Sequence, residues 1–203
     1  PPSLPTNTMP HLLPHPAQTR LTTIIAQVDH GKTTLADTLI SSNGIISDRL
    51  AGTLRYLDSH PEEQRRGITM RSAAIGLKHA FYRQHNNNNK TKTGGAGAGA
   101  VVENVVIHLV DSPGHVDFSS EVTSSLLTCD GGLLVVDAVE GLCARTCGIL
   151  REAYGKELVP LLVINKIDRL CLDLGLSVVE AYGRLRSLIE SVNAACAGVV
   201  ISS

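Results

Sequence analysis

Aromatic residues are scarce in this sequence, which has no tryptophan, two phenylalanines and four tyrosines. Long apolar runs are also missing, since none approaches the roughly 20 residues that a membrane-spanning helix needs. Neither sign of charge dominates, because 18 basic side chains stand against 19 acidic ones and leave a net charge of −1. The N-terminal residues lack a basic segment followed by an apolar core. We therefore expect no secretory signal and no membrane partner, and the charge gives no direct indication of nucleic-acid binding.

Cysteine pairs with metal-site spacing are absent as well. The five cysteines include no Cys-x-x-Cys pair, and although Cys143 and Cys147 are four residues apart, no further Cys or His pair completes a zinc site. An odd number of thiols without such spacing is typical of reduced cysteines in a cytoplasmic protein. With 43% hydrophobic and 18% charged residues, the composition is that of a globular chain.

Two segments have the composition of disorder. Six prolines fall within the first 16 residues, so we predict a disordered tail over residues 1–19. Residues 85–100 hold four consecutive asparagines and a Gly-Ala repeat, which bury too little apolar surface to offset the entropy lost on ordering. We predict a low-complexity, flexible loop there, inside a single domain that spans residues 20–203.

The pattern of that domain predicts an α/β fold. Apolar, strand-like runs alternate with amphipathic stretches, which indicates mostly parallel strands covered by helices on both faces, in three layers. The strands are expected at residues 21–25, 71–83, 105–110, 133–136 and 159–164, and the helices at 33–42, 119–128, 144–154 and 178–195. Because no helix separates 71–83 from 101–110, we expect these two to form an antiparallel pair at one edge. Residues 45–70 are polar and without periodicity, as long functional loops are.

The first chemical motif is residues 26–33, Ala-Gln-Val-Asp-His-Gly-Lys-Thr, between the first strand and the first helix. A tight loop that presents backbone N–H groups, followed by a helix N-terminus, is suited to holding phosphates. Lys32 is expected to reach the β- and γ-phosphates, and the Thr33 hydroxyl to bind Mg²⁺. The other residues predicted to contact the nucleotide here are Asp29, His30, Gly31 and Thr34.

A second motif follows the strand at 105–110. Asp111 is placed to serve the Mg²⁺ side of the site, commonly through water, and Gly114 permits a backbone N–H to approach the γ-phosphate. In the long loop before it, Thr69 is expected to join Mg²⁺ when a γ-phosphate is present. The charged residues of this loop are expected to form a solvated face: Asp58, Glu62, Glu63, Arg65 and Arg66.

A third motif, Asn165-Lys166-Ile167-Asp168, ends the last predicted strand. Guanine presents two adjacent donors, N1–H and the exocyclic amine, and the carboxylate of Asp168 can accept both. Asn165 is expected to steady the loop or meet the base, and the stem of Lys166 can lie along the ring. Three such motifs in this order, each at a strand end, jointly predict a phosphate-loop GTPase that binds GTP or GDP with Mg²⁺.

Three segments, residues 28–35, 66–70 and 111–118, together resemble the translational GTPases. Within that family, segments 40–47, 49–52, 54–59 and 165–170 resemble the elongation-factor-like GTPases of 60S ribosomal subunit maturation, relatives of eukaryotic elongation factor 2. The resemblance covers about residues 21–197, apart from the low-complexity loop. It implies a cytoplasmic GTPase that acts on the nascent 60S subunit with a maturation partner protein and hydrolyses GTP to release an anti-association factor.

The resemblance also implies roles at the site. His115 would position the attacking water, while Val28 and Ile68 would gate His115 from the nucleotide. Asp29 would help to hold a monovalent cation, and loops 45–70 and 112–118 would be the two switches. No arginine placed to assist catalysis is evident from the sequence, so we expect slow hydrolysis that the ribosome accelerates.

Other interpretations of the sequence remain open. One is an elongation factor 2-like GTPase that drives translocation, another a GTP-binding fragment without turnover, and a third an ATP-dependent phosphate-loop enzyme. Residues 198–203 have the composition of a last strand, whereas the resemblance implies the approach to an insertion, with the final guanine loop further on. We follow the resemblance here, because no Ala or Lys follows the serine, and expect the GTP-binding domain to be C-terminally incomplete.

Overall fold

The computed structural model describes residues 18–83 and 101–202. The low-complexity loop predicted at 85–100 therefore lies outside the described residues, as does the predicted tail except for its last two positions. Those two positions precede and begin the first strand, which starts at Thr19. In the two described ranges, no helix has the length and apolar character needed to cross a membrane.

A five-stranded sheet forms the centre of the fold, with the spatial order β2-β3-β1-β4-β5. Strand β1 pairs in parallel with β3 and β4, and β4 pairs in parallel with β5. Strand β2 pairs antiparallel with β3 at one edge, so the predicted mostly parallel sheet with an antiparallel edge strand is confirmed. The strands are β1 (Thr19–Ala26), β2 (Ala73–Arg83), β3 (Val101–Asp111), β4 (Gly131–Asp137) and β5 (Val159–Asn165).

Six helices are described. The four helices expected from periodicity are confirmed, while α2 and α5, six and five residues long, were not predicted. A 3₁₀ turn, Val116–Phe118, precedes the third helix. The helices are α1 (Lys32–Ser42), α2 (Pro61–Arg66), α3 (Ser119–Thr128), α4 (Ala144–Gly155), α5 (Asp168–Leu172) and α6 (Val178–Ser202).

Helix α6 continues through Ser202, so the described C-terminal residues are helical. The interpretation of residues 198–203 as a last strand is therefore wrong. Leu188, Val192, Cys196 and Val199 recur at helical spacing and face the core against α4, so burial on one helix face outweighs the β-branched composition of the last turn.

Two apolar clusters, one on each face of the sheet, make the fold three-layered as predicted. Neighbouring residues alternate between them: Ile25 and Leu134 belong to the cluster under α3, α4 and α6, whereas Ile24 and Val135 pack with α1. Because β1, β3, β4 and β5 run parallel, their carboxyl ends lie along the same edge of the sheet. The three predicted motifs all follow these ends, so the topology brings them together.

Candidate functional site

A cavity of about 340 Å³ opens at the carboxyl edge of the parallel strands. Most residues singled out in the sequence line it, namely Asp29, Gly31, Lys32, Thr33, Thr34, Thr69, Gly114, His115 and Lys166. Four predicted residues are not part of its lining: Asp111, His30, Asn165 and Asp168. Asp111 and His30 are buried, Asn165 is half-buried, and Asp168 is exposed at the start of α5.

Side-chain oxygen atoms from the first motif, the loop at 45–70 and the second motif meet around the Lys32 ammonium. Lys32 Nζ donates to Asp111 Oδ1 at 2.9 Å and to Thr69 Oγ1 at 3.1 Å. The hydroxyl of Thr33 lies 3.2 Å from that of Thr69. Among the described residues, Asp111 Oδ2 has no hydrogen-bond partner although it is buried. Two hydroxyls and a carboxylate with an unused oxygen form the hard donor set that Mg²⁺ prefers, so these residues fit that ion.

The charge state of Asp111 is coupled to the cations around it. Burial is the largest influence on this carboxyl group, and it raises the pKa of Asp111 even though Lys32 opposes the shift. A further positive charge at the free oxygen would favour the ionised form. The carboxylate is therefore better accommodated with a divalent cation beside it than with Lys32 alone.

The phosphate loop is closed by contact with Asn165. Gly31, the residue before α1, has a φ of 91° in the left-handed region. A Cβ atom built on Gly31 would lie 2.2 Å from Asn165 Nδ2, which itself donates to the His30 carbonyl oxygen at 2.9 Å. Asn165 thus steadies the loop in this structure. Because its amide occupies the space where a side chain would begin, only glycine fits at position 31.

His30 supports the loop from behind. Its ring is fully buried, with the Asp137 backbone N–H donating to Nδ1 at 3.3 Å and Nε2 lying 3.1 Å from Glu140 Oε2. Cys143 Sγ lies 3.9 Å from the same Nε2. The fold thus gives Cys143 a polar neighbour that is distant in sequence. The His30 imidazole also joins the phosphate loop to the segment after β4.

On the other side of the cavity, Lys166 joins the third motif to the first. Its ammonium donates to the Asp29 carbonyl oxygen and lies 3.2 Å from Asp137 Oδ2. Arg169 contacts the same carboxylate oxygen at 2.8 Å. Burial alone would raise the pKa of Asp137, but hydrogen bonds from two backbone N–H groups and from Lys166 outweigh it and lower the pKa. An ionised Asp137 therefore joins the segment after β4 to the third motif and α5.

Gly114 and His115 approach the phosphate loop from β3. A Cβ atom on Gly114 would lie 3.2 Å from the Ala26 carbonyl oxygen, so the backbone passes close to the loop. The His115 side chain is 40% exposed, and its Nδ1 accepts the Asp117 backbone N–H at 3.2 Å. Val28 and Ile68 line the cavity together with His115.

Part of the loop at 45–70 differs from its predicted character. The expectation of a solvated face is confirmed for the exposed Arg65 and Arg66 and for the partly exposed Glu62, but it is wrong for Asp58 and Glu63, which are 0% and 2% exposed. Both carboxylates are buried because they accept hydrogen bonds, Asp58 from Arg55 and Glu63 from backbone N–H groups.

Arg55 is a site residue that the sequence did not reveal, since the structure places it in the cavity lining. The signal available was the pairing of Arg55 with Asp58 three residues later, which does not by itself indicate a ligand. For Glu63, a more specific signal existed, because His60-Pro61-x-Glu63 has the spacing of a helix capping box.

Comparison with known proteins gives a consistent result. The family model described as "Elongation factor Tu GTP binding domain" matches residues 17–201. The chain is 52% identical over 171 residues to "Elongation factor-like GTPase 1" of Homo sapiens, which covers 84% of this chain and 14% of that protein. It is 45% identical over 192 residues to "Ribosome assembly protein 1" of Saccharomyces cerevisiae, covering 95% of this chain and 16% of the relative. The chain thus spans a small fraction of the length of these relatives.

A solved structure supports the fold alone. A crystal structure of a protein from Thermus thermophilus superposes with a TM-score of 0.61 at 23% identity. The match covers 85% of this chain and 22% of that protein. The fold described above therefore recurs in a protein of distant sequence.

Proposed function

Because the chain belongs to the family described as the elongation factor Tu GTP binding domain, we propose that it binds GTP with Mg²⁺ and hydrolyses it to GDP and phosphate. The observation that carries this proposal is the meeting of Lys32, Thr33, Thr69 and Asp111 within hydrogen-bond distance at one edge of the sheet. Phosphoryl transfer needs little covalent chemistry from the protein, and this cluster supplies the positioning and charge that it does need.

The phosphate end of the site is assigned to the first two motifs. Lys32 would exchange its contacts with Asp111 and Thr69 for the β- and γ-phosphate oxygens. The Thr33 and Thr69 hydroxyls and Asp111 would then hold Mg²⁺, which neutralises charge on the same phosphates. Asp29, which lines the cavity with a φ of 64°, would help to hold a monovalent cation.

The base end is assigned to the third motif. Asp168 is exposed beside the loop that Asn165 and Lys166 hold, so its carboxylate is accessible to a nucleobase. It would accept the two guanine donors, while the Lys166 stem lies along the ring. Adenine lacks that donor pair, which favours a guanine nucleotide over ATP.

His115 is proposed to position the attacking water. It lines the cavity beside Gly114, and the apolar side chains of Val28 and Ile68 flank the same space. An imidazole that is only partly exposed and rests on the Asp117 backbone N–H can rotate towards the γ-phosphate when a partner orders the loop. We therefore expect slow intrinsic hydrolysis that the ribosome accelerates.

The cellular role is proposed from the relatives. One is named as an elongation factor-like GTPase and another as a ribosome assembly protein. We propose that this chain acts in the cytoplasmic maturation of the 60S subunit, where GTP hydrolysis, together with a maturation partner protein, releases an anti-association factor.

The hydrolysis proposal is tested by measuring phosphate release from GTP by the full-length protein, alone and with 60S or 80S ribosomes. We expect 60S subunits to stimulate hydrolysis, and His115→Ala to lower the stimulated rate by about 100-fold or more because the water is no longer positioned. Binding of GDP should not change. His79→Ala, at an exposed position on β2, is the matched control. Stimulation by 80S ribosomes alone would instead indicate a role in elongation.

Base specificity is tested separately. Asp168→Asn should weaken GDP binding by about 100-fold, because one charge-assisted contact to guanine is lost, and should improve binding of xanthosine diphosphate. Asp173→Asn, an exposed change on the same side of the molecule, is the control and should alter neither affinity. Unchanged selectivity in Asp168→Asn would contradict the assignment of the base site.

A further inference from the structure

Arg55 is the arginine in the cavity lining, where it joins Lys32, Thr69 and His115. Its guanidinium donates from Nη1 to the Gly67 carbonyl oxygen at 2.6 Å, two residues before Thr69. This contact places the guanidinium on the side of the cavity that holds the Mg²⁺ donors and His115. The base-binding residues lie on the opposite side, after β5.

The position of Arg55 is determined from two directions. Its backbone N–H donates to the buried Asp37 of α1 at 2.8 Å, and Asp37 also accepts the backbone N–H groups of Gly52 and Tyr56. Its Nε donates to Asp58 Oδ2 at 2.5 Å. Because α1 begins at Lys32, the arginine is attached to the same helix that carries the phosphate loop, and its fork is oriented by a buried carboxylate.

These contacts leave most of the guanidinium available. Arginine has five N–H donors, and the bonds to Asp58 and Gly67 account for two of them. The side chain is 27% exposed, so the remaining donors are not enclosed in the core.

We propose that Arg55 stabilises the charge that develops on the phosphate chain of GTP during hydrolysis, an inference that rests on the proposed GTPase function. In that reaction, the water oxygen bonds to the γ-phosphorus while the bond from the γ-phosphorus to the bridging oxygen breaks. The bridging oxygen stays with GDP, and both protons of the water leave with the phosphate product as H₂PO₄⁻. Arg55 forms no covalent bond, and its free N–H groups contact the phosphate oxygens. The guanidinium stabilises these oxygens most strongly in the transition state, where their negative charge develops.

This role makes Asp37 and Asp58 positioning residues that act through Arg55. It also gives a reason for the burial of two carboxylates, Asp37 in α1 and Asp58 in the segment that follows α1. The arginine that was not evident from the sequence is thus contributed by the long loop between α1 and α2.

The test measures single-turnover hydrolysis and GDP affinity in the full-length protein with 60S subunits. Arg55→Ala should lower the hydrolysis rate by about 1000-fold or more, as for other arginines that contact a transferred phosphoryl group, with GDP affinity changed by less than about threefold. Added guanidinium ion should restore part of the rate to Arg55→Ala. The matched control is Arg65→Ala, an exposed change in the same segment, which should leave the rate unaltered.

Arg55→Lys is the second variant and keeps the charge if Arg55→Ala proves unstable in thermal unfolding. It should retain GDP binding and lose about 10- to 100-fold in rate, since an ammonium cannot hold Asp58 and a phosphate at once. If the wild type is active and both variants hydrolyse GTP at the wild-type rate, the role of Arg55 is overturned while the proposed GTPase function stands. Equal losses of rate and GDP affinity without guanidinium rescue would show a purely structural role. An inactive wild type would refute the proposed function itself.

Discussion

At the scale of single residues, the conformation of the phosphate loop depends on the absence of a Cβ atom at Gly31. Gly31 occupies the left-handed region, and the amide of Asn165 lies where a side chain would begin. The loop backbone and the end of β5 can therefore touch only through glycine. A position in the middle of α4, Gly148, has no such neighbour, because nothing lies within 4 Å of a Cβ built there.

Gly31→Ala should lower the free energy of unfolding by about 2–4 kcal/mol, from left-handed strain together with overpacking against Asn165. It should also weaken GDP binding, since the loop must open to relieve the contact. Gly148→Ala should raise the free energy of unfolding by about 0.5–1 kcal/mol, as expected for a helix interior. Urea unfolding checks both, and a similar sign for the two variants would contradict the steric account.

Residues that form local motifs were predictable from the sequence, whereas residues that act through distant partners were not. Lys32, Thr33 and Asp111 follow strand ends at recognisable spacing. The partners of Asp37 lie 15 to 19 residues away, across a loop whose path depends on its own packing. No local pattern marks such a carboxylate as buried.

At the scale of elements, the segment between α1 and β2 is organised by a helix of only six residues. Glu63 in α2 accepts the backbone N–H of His60 at 3.0 Å, which caps the helix start. It also accepts those of Met70 and Arg71 at 2.8 and 2.9 Å, which ties the helix to the residues before β2. The Glu63 carboxylate thus links the start of α2 to the residues that follow Thr69.

Glu63→Gln should lower the free energy of unfolding by about 1.5–3 kcal/mol near neutral pH, because charged hydrogen bonds are replaced by weaker ones. Burial tends to raise the pKa of Glu63, but its three backbone hydrogen bonds lower it overall. A lowered folded-state pKa means that the contribution is present above the ordinary pKa of glutamate, about 4.3, and is lost as the pH falls through the lowered value.

The wild type and Glu63→Gln should therefore differ most near pH 7 and converge in acid. Urea unfolding at several pH values measures this difference. Glu62→Gln, beside it on α2 but partly exposed, is the control and should change stability by less than about 0.5 kcal/mol. A difference that grows as the pH falls would contradict the assigned direction of the pKa shift.

At the scale of the whole molecule, the sheet ends in an unprotected strand. In the described part of the chain, β5 has no neighbouring strand on its outer side, and Val159 and Leu161 are 70% and 63% exposed. Val178 and Tyr182 of α6 are exposed as well. Strand edges of this kind template pairing with other chains.

Leu161→Lys should reduce concentration-dependent light scattering by this chain, since a lysine on an edge strand opposes pairing. Its free energy of unfolding should change by less than about 0.5 kcal/mol, because the side chain is already exposed. Leu127→Lys on α3 removes a similar exposed apolar side chain away from the edge. An equal reduction in both variants would indicate general surface apolarity rather than the strand edge.

The sequence by itself determined the strands, the long helices and the three motifs, because apolar periodicity and phosphate-loop chemistry are local properties of a chain. The tertiary structure alone decided that α6 continues through Ser202, that Asp58 and Glu63 are buried, and that Arg55 reaches the cavity. Each of these features depends on contacts between residues that are far apart in the sequence and that only tertiary packing brings together. The free energy of such contacts belongs to the folded arrangement, so no window of sequence contains it.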